Sequence, residues 1–499
     1  MGSDGLNHAN SSQQGTDVLV VGAGVVGLAT ALAARRAGYS VQVLERAQSA
    51  AGGMHEPLAQ PGSAAPGPAA GGVSDTPPEP PHGAPDAGAP TSDPATVVGW
   101  PATSRVYALA PASVALLQTL DAWPCGLPWF TPGPVRGMAV YERASRGQIA
   151  LSSEAATDRA AQVDAGSDGQ VDTQADARVA AQVDMNVDMQ GGPQTDPQTE
   201  PQAEAQMASI VGHDALVRAL TEACARAGVP IAWGHAITDV MPAGDGAQVV
   251  TDDGAHWSGR LVCAADGARS TVRALLGVPI DGASYGQSGV TAVLRLSAPH
   301  EGVARQHFRE GEVLALLPLA DPYAVVLVWS ARTAHAETLL ELSEPAFLSR
   351  LNTALALPGI EARFATDRRS FPLRWLRAER MVSGRVVLLG DAAHVMHPLA
   401  GQGLNLGLGD VAEFATAVLP TLGAPGLSRV LGRFERSRKA EAVLYRGTVD
   451  SLFRLFNARG LRALRGAGLN LVDHLPPLKR MIVARASGRR IASPEPSNG

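Results

Sequence analysis

The chain of 499 residues is poor in aromatics (4%), has three cysteines, and carries a net charge of only −6. Cys125, Cys224 and Cys263 stand far apart with no CxxC spacing. That excludes a disulfide framework and a cysteine metal site, and fits a reducing cytosol. No apolar run reaches the length of a membrane span. The N-terminal stretch MGSDGLNHANSSQQGT has no apolar core of the secretory type, so a ragged soluble terminus is expected there. The length is too great for one ordinary domain and implies two or three.

Glycine (54) and proline (36) are abundant and unevenly spread. Residues 51–98 hold 11 Pro, 8 Gly and 10 Ala, with no aromatic and no basic residue. Residues 152–206 hold 11 acidic groups, two Arg and no aromatic. The word AAQVD occurs at Ala160–Asp164 and again at Ala180–Asp184, and a single duplication is low-complexity drift rather than a solenoid. Neither stretch can bury enough apolar surface to offset its ordering entropy, so both are expected to be disordered insertions. They fall where loops belong, and closure entropy grows only logarithmically with loop length. An acidic tether for a partner is the functional alternative. The two stretches carry −5 and −9, which leaves +8 on the other 396 residues.

Asp17–Arg46 reads as a complete βαβ unit. DVLVVGAG opens as a buried parallel strand, Val25–Ala37 is an Ala- and Leu-rich helix ended by Gly38, and Ser40–Leu44 is a second strand. Gly22, Gly24 and Gly27 have GxGxxG spacing. The first permits the tight turn, the second lets the backbone approach a pyrophosphate, and the third lets helix and strand pack closely. The helix N-terminus offers free N–H groups to phosphate. Glu45, beside Arg46, can accept ribose hydroxyls. This unit alone does not separate NAD from FAD.

A second site lies far downstream. Arg385–Gly390 (RVVLLG) reads as another buried strand, running into Asp391 and then AAHVMHPLAGQGLNLGLGDVAEF. Leu404, Leu408, Val411 and Phe414 recur at helical spacing. The order is therefore strand, acid, Gly-rich loop (Gly401, Gly403, Asn405), helix. Such an acid can bind polyol hydroxyls, and a Gly-rich loop feeding a helix N-terminus can stabilise negative charge on a ring system.

The wording GDAAHVMHPLAGQGLNLGL resembles the second flavin motif of the class A flavoprotein aromatic hydroxylases, and is closest to the UbiH/UbiF/VisC family of FAD-dependent ubiquinone-biosynthesis hydroxylases. The resemblance spans about residues 17–490 apart from the two insertions. It implies that Gly390–Asp391 holds the ribityl chain of FAD, and that Pro398, Gly401, Gly403, Leu404 and Asn405 lie along the isoalloxazine. LVCAADGARSTVR (Leu261–Arg273) resembles the family's DG motif, which assigns Asp266 and Gly267 to pyrophosphate support and NAD(P)H use. Arg105 in SRVYAL matches a family arginine that contacts FAD. His213 in IVGHDALVRAL stands where the family usually has Asn, and no role is carried over to it.

The implied fold class is α/β: a Rossmann-like FAD-binding domain, an antiparallel-sheet substrate domain and C-terminal helices, with two disordered insertions. The expected FAD-binding domain comprises 17–50, 99–110, 207–282 and 380–425. The substrate domain comprises 111–151 and 283–379, and its runs within Tyr285–Trp329 read as antiparallel strands. Residues 426–490 form the C-terminal region, where 15 residues are Lys or Arg and 4 are Asp or Glu. That region reads either as a helical cap with a solvated basic face or as a surface for anionic lipid. No nucleic-acid recognition module accompanies the charge, so no nucleic-acid partner is expected.

The resemblance implies a monooxygenase that uses FAD, NAD(P)H and O2 to hydroxylate a lipid-borne aromatic ring, a polyprenyl phenol of ubiquinone biosynthesis. It implies a cytoplasmic protein in peripheral contact with the inner face of the membrane, and membership of a biosynthetic complex. The alternatives are another flavin oxidoreductase of the same fold, such as a polyprenyl reductase or small-aromatic hydroxylase, and a non-catalytic flavoprotein scaffold. His394 and His397 (HxxH) approach each other only on a helix, and no third ligand accompanies them. Packing or hydrogen bonding in the flavin loop is the favoured reading, with acid–base work the alternative. No metal and no catalytic side chain is assigned.

Overall fold

The computed structural model describes residues 14–48, 105–124, 130–142, 147–152, 206–309, 311–396 and 403–457. The insertion 51–98, all but the two end residues of 152–206, and Cys125, His397, Pro398 and Gly401 lie outside the described residues.

The first sheet has eight strands among the described residues. Its centre is parallel, built from β1 (Gln14–Val21), β2 (Val41–Glu45), β8 (Ile231–Trp233), β11 (His256–Ala264) and β19 (Val386–Leu388). They run in the order β19-β11-β1-β2-β8. β18 (Val382–Ser383) edges β19, while β9 (Ile237–Ala243) and β10 (Gly246–Thr251) form an antiparallel extension of β11. Val18–Val21, Leu261–Ala264 and Val386–Leu388 are all buried. Such unbroken apolar runs are what a parallel sheet covered on both faces requires.

α1 (Val25–Arg36) follows β1, and α3 (His213–Arg226) packs against it. Gly38, at φ +89°, reverses the chain after α1. Gly27 has no room for a side chain, since a Cβ there would stand 1.9 Å from the Gly22 carbonyl oxygen. The contact closes the helix onto the turn that launches it.

A small sheet of β3 (Val106–Leu109), β4 (Gly133–Val135) and β7 (Ala208–Gly212) joins this layer to a second large sheet. The second sheet contains β5 (Gly137–Glu142), β6 (Gly147–Ser152), β12 (Ile280–Leu296), β13 (Val303–Arg309) and β14 (Glu312–Pro318). It is completed by β15 (Ala324–Arg332), β16 (Ala362–Ala365), β17 (Arg369–Ala378) and β20 (His394–Val395). All its pairings are antiparallel except β13 with β5.

Alternation gives this sheet two apolar faces. Leu314, Leu316, Leu327 and Trp329 point outward to α5 (Thr333–Glu341) and α6 (Glu344–Leu355). Val293, Ala304 and Val326 point inward and pack with Val106, Ala108 and Ile210 of the small sheet. The remaining helices are α2 (Pro111–Thr119), α4 (Thr271–Leu275), α7 (Gly403–Glu413) and the long α8 (Leu427–Asn457).

The α/β architecture expected from the sequence is the one observed, with two differences in detail. Gly403, Leu404 and Asn405 form the first turn of α7 rather than loop, and His394 lies in a two-residue strand rather than in loop.

Gly27→Ala is expected to destabilise the fold by about 1–3 kcal/mol, because backbone must move to admit the methyl group. That exceeds the roughly 1 kcal/mol that alanine gains in helix propensity. Gly432→Ala on α8, where the new Cβ would meet only the tip of Arg436, should be neutral or stabilising. Urea unfolding midpoints of the two variants test the contrast.

Candidate cofactor and active site

Register fixes the site. Val21 pairs with Leu44 on one side and with Ala264 on the other, and Ala264 pairs with Leu388. The four chain segments that leave these strands therefore emerge side by side at one carboxyl edge. They carry Glu45, the Gly22 turn, Asp266–Gly267 and Gly390–Asp391. In open α/β sheets that edge is where ligands bind.

At the β1 end, Gly22 has φ +104°, and a Cβ on it would lie 2.5 Å from the Ala265 carbonyl oxygen. Gly24 caps α1 and a Cβ there would meet nothing within 4 Å, so the turn is open above it. Glu45 Oε2 accepts the Ala23 N–H (2.7 Å) and Oε1 the Ala47 N–H (2.9 Å). The carboxylate is thus locked beside the glycine turn with lone pairs to spare. Arg46 is exposed.

Asp266 Oδ2 accepts the N–H groups of Thr271 and Val272 and so caps α4, while its Oδ1 is buried without a partner among the described residues. Gly267 takes φ +84°. Arg273, absent from the sequence-based set, donates to Ala392 O (2.8 Å) and Ala268 O (3.0 Å). It staples the Asp266 turn to the Asp391 turn.

Asp391 retains some solvent access yet is surrounded by protein, as a group lining a crevice is. Burial pushes its carboxyl above the usual range, against the opposing charges of Arg105, His394, Arg374 and His213. Arg105 sits just before β3, and its carbonyl accepts the His213 N–H (2.7 Å). The Tyr107 hydroxyl and His213 Nδ1 share a hydrogen bond (3.1 Å). Burial raises Tyr107 to about 12, and burial with Arg105 lowers His213 against the pull of Asp214, so both are neutral near pH 7.

α7 closes the crevice from the other side. The Asn405 carboxamide accepts the Ala110 N–H and donates to Ala108 O, both at 2.8 Å. Its side chain is committed to clamping α7 onto β3 rather than offered outward. Gly390, at φ +58°, and Gly407 both press on Val26: a Cβ on either would come within 2.9 Å of that side chain. The starts of α1 and α7 and the end of β19 thus meet at one point.

Beneath them sits a group the sequence reading missed. Asp410 is fully buried. Its Oδ2 accepts the Gly390 N–H (2.9 Å) and His394 Nε2–H (2.8 Å), and its Oδ1 accepts Arg438 Nε–H (2.6 Å). Arg438, on α8, also donates to Leu406 O (3.0 Å) and pairs with Glu441. Burial alone would raise Asp410, but His394 and Arg438 outweigh it and hold the carboxyl below the usual range. For His394, burial pulls down while Asp410 prevails and raises it. Within GLGDVAEF an aspartate has no signal that separates it from a helix surface residue. Cys224 and Cys263 are buried, and burial holds both thiols up, Cys224 to about 12, so neither serves as a nucleophile.

The arrangement suits a dinucleotide with a polyol. It offers an open glycine turn at a helix N-terminus, a locked carboxylate beside it, an orphaned Asp266 oxygen, and a crevice acid flanked by cations. The residues fit FAD. Two Rossmann-type features at one edge, with a second sheet joined to it through β20, are the arrangement of an FAD-binding α/β fold.

Comparison with known proteins agrees. Residues 152–444 match the FAD binding domain model, and residues 20–69 match a NAD(P)-binding Rossmann-like domain. The ubiquinone hydroxylase UbiL of Rhodospirillum rubrum is 35% identical over 50% of this chain and 60% of its own length. The ubiquinone biosynthesis monooxygenase COQ6 of Danio rerio is 33% identical over 56% of this chain and 68% of its own. The crystal structure of p-nitrophenol 4-monooxygenase PnpA from Pseudomonas putida DLL-E4 shares the fold, with TM-score 0.63, 18% identity, 96% of this chain and 100% of that one covered. The chain belongs to the family of FAD-dependent ubiquinone-biosynthesis hydroxylases.

Arg438→Met should cost about 3–5 kcal/mol, because it leaves the Asp410 charge buried and unpaired by its guanidinium. The Asp410→Asn/Arg438→Met double variant should lose less than the single one, the reverse of additivity. Chemical denaturation of the three proteins measures the difference.

Proposed function

We propose that the protein is an FAD-dependent monooxygenase that uses NAD(P)H and O2 to hydroxylate an aromatic ring, the substrate being a polyprenyl phenol of ubiquinone biosynthesis. The reading is carried by one observation: the strand-end row that suits FAD is joined to the second sheet, through β20, which follows Asp391 and pairs with β17, and through β3, which binds Asn405 and packs Val106 and Ala108 on that sheet's apolar inner face. A charged, phosphate-accepting edge beside an apolar wall is what a flavin enzyme with a lipid-like aromatic substrate needs. The names of the R. rubrum and D. rerio relatives support the same substrate class.

In this reading Gly22, Gly24 and Gly27 with the α1 N-terminus receive the pyrophosphate, and Glu45 with Arg46 the adenosine ribose. Asp266–Gly267 and Arg105 support the phosphate side, and Gly390–Asp391 the ribityl hydroxyls. Gly403–Asn405, following Pro398 and Gly401, bring the positive end of α7 to the ring. FAD held there would supply the redox chemistry, the two electrons of NAD(P)H and O2 giving one oxygen atom to the ring as hydroxyl and the other to water. The protein's part is to hold the ring, exclude water and present the substrate.

The purified protein is expected to show flavin absorbance, and Asp391→Ala to weaken FAD binding at least tenfold. Strains lacking a single quinone-ring hydroxylase should regain hydroxylated product, read by mass analysis, with this chain but not with that variant. A protein with no flavin absorbance even after FAD is added would sink the proposal.

We further propose that the protein works on a membrane surface. No helix among the described residues is long and apolar enough to cross a membrane, but α8 leaves Val443 and Leu444 exposed in an arginine-rich segment. The protein is expected to float with anionic vesicles and to stay behind with neutral ones; equal retention on both would contradict this.

A further inference from the structure

His213 opens α3 at the edge where the cofactor strands end, and none of the contacts proposed for FAD uses it. Alternation along β3 sorts its side chains to two sides. Val106 and Ala108 pack on the second sheet, while Tyr107 packs on the core of the first. Arg105, two residues before Tyr107, is exposed. β7 pairs antiparallel with β3, Gly212 standing opposite Val106. The His213 N–H extends that ladder by donating to Arg105 O (2.7 Å). The backbone of His213 is therefore pinned beside the arginine that supports the phosphate side in the FAD reading.

Its ring is held from one side. The Tyr107 hydroxyl and Nδ1 share a hydrogen bond of 3.1 Å, the two rings standing edge to face with centroids 6.0 Å apart. Burial keeps the phenol protonated up to about 12, so its O–H donates and Nδ1 of the neutral imidazole accepts. That bond fixes the remaining ring proton on Nε2. Nε2 has no hydrogen bond among the described residues, and His213 is half-exposed. The charged groups facing the ring come from three elements: Asp214 on its own helix, Arg105 before β3 and Asp391 after β19. The same three act on Tyr107, so the pair and the crevice acid share one pocket. Burial is the largest influence on His213, and with Arg105 it holds the imidazole below its ordinary value. The positive end of α3 acts in the same direction. In the protein alone the ring is neutral near pH 7.

We propose that His213 is a proton-linked contact for the FAD pyrophosphate, donating from Nε2 to a phosphate oxygen, taking a proton from solvent on binding and returning it on release. The proposal rests on the FAD reading above and adds a group to its phosphate side. Neutral His213 already offers Nε2–H, and protonation makes that bond charge-assisted, roughly twice as strong. Tyr107 accommodates the change by rotation: once Nδ1 also carries a proton, the phenol oxygen accepts it. A ligand that prefers the protonated ring binds most tightly at low pH. Its affinity falls as pH rises through the two values of the ring, first without FAD and then with it. The window opens below the ordinary 6.5 of histidine, because the ring without FAD lies under that value.

The test titrates FAD into flavin-free protein by calorimetry, in buffers of different ionisation enthalpy, so that the difference in heat counts protons taken up. At about pH 7 the wild-type protein should take up on the order of half a proton per FAD, and its Kd should rise about tenfold from about pH 5.5 to about pH 8.5. His213→Gln and His213→Asn keep a neutral donor, and should lose the uptake and flatten the profile. Their Kd should lie within about threefold of wild type at the high end and be about tenfold weaker at the low end. Uptake and pH dependence that persist in both variants would put the proton on another group, such as Asp391, and overturn the inference. So would variants weakened by one factor at every pH, the mark of a ring that only supports the fold. If the wild-type protein binds no FAD, the flavoprotein reading falls and this inference with it. If it binds FAD without proton uptake and with a flat profile, this inference alone falls.

Discussion

The parallel register of β2, β1, β11 and β19 is the constraint on which everything else depends. Val21, Leu44, Ala264 and Leu388 stand level, so chain segments from opposite ends of the sequence leave the sheet together. Neighbouring strands are about 4.8 Å apart, which spaces the four exits over roughly the length of a dinucleotide's polar backbone. Shifting one strand by two residues would move its exit by about 7 Å and remove its acid from the row. Apolar burial holds the strands from both sides: Val20, Val43, Cys263 and Val387 on one face, and Leu19, Leu44, Val262 and Leu388 on the other, are excluded from solvent.

Holding the exits level also requires close contact above the sheet, and glycine supplies it. Gly27 on the Gly22 turn, and Gly390 and Gly407 on Val26, bring three backbones nearer than any side chain would allow. Such packing leaves buried polar groups beneath, and Asp410 gathers them. It satisfies an N–H at the β19 end, an imidazole on β20 and a guanidinium on α8 with one carboxylate. Taken singly each buried charge would be strongly unfavourable. Together they compensate, and the price is that α8, 28 residues beyond Asp410 at Arg438, becomes part of the support for the Asp391 turn.

Much of the fold was legible because local chemistry forced it. GxGxxG between an apolar strand and an Ala-rich helix has few other solutions, and the alternation after Tyr285 could only be a sheet with two different faces. Strand order was not legible, since nothing in LVCAADG or RVVLLG states which strand lies between which. Of the candidate site, the residues whose chemistry is backbone geometry, Gly22, Gly27 and Gly390, could be read by type. Asn405 could be placed but its partners could not, because they are backbone atoms nearly 300 positions away. Asp410, Arg273 and Arg438 gave no signal at all. A buried ion looks like a surface ion until its partners, contributed by other elements, are in place.

The site divides its electrostatics in space. Arg105, Arg374, Asp391, Asp266 and Glu45 crowd the strand-end edge, where a ligand with phosphates and hydroxyls can match each charge or take its hydrogen bonds. One layer away, the inner face of the second sheet carries Val140, Ala315 and Val328. The division follows from how each surface is made. Strand ends are turns, open to water and rich in free N–H and carboxylate groups, so charge costs little there. The inner face of the second sheet is made of strand interiors, where Val293, Ala304 and Val326 are buried against the small sheet, and an unpaired charge placed among them would be driven to its neutral form.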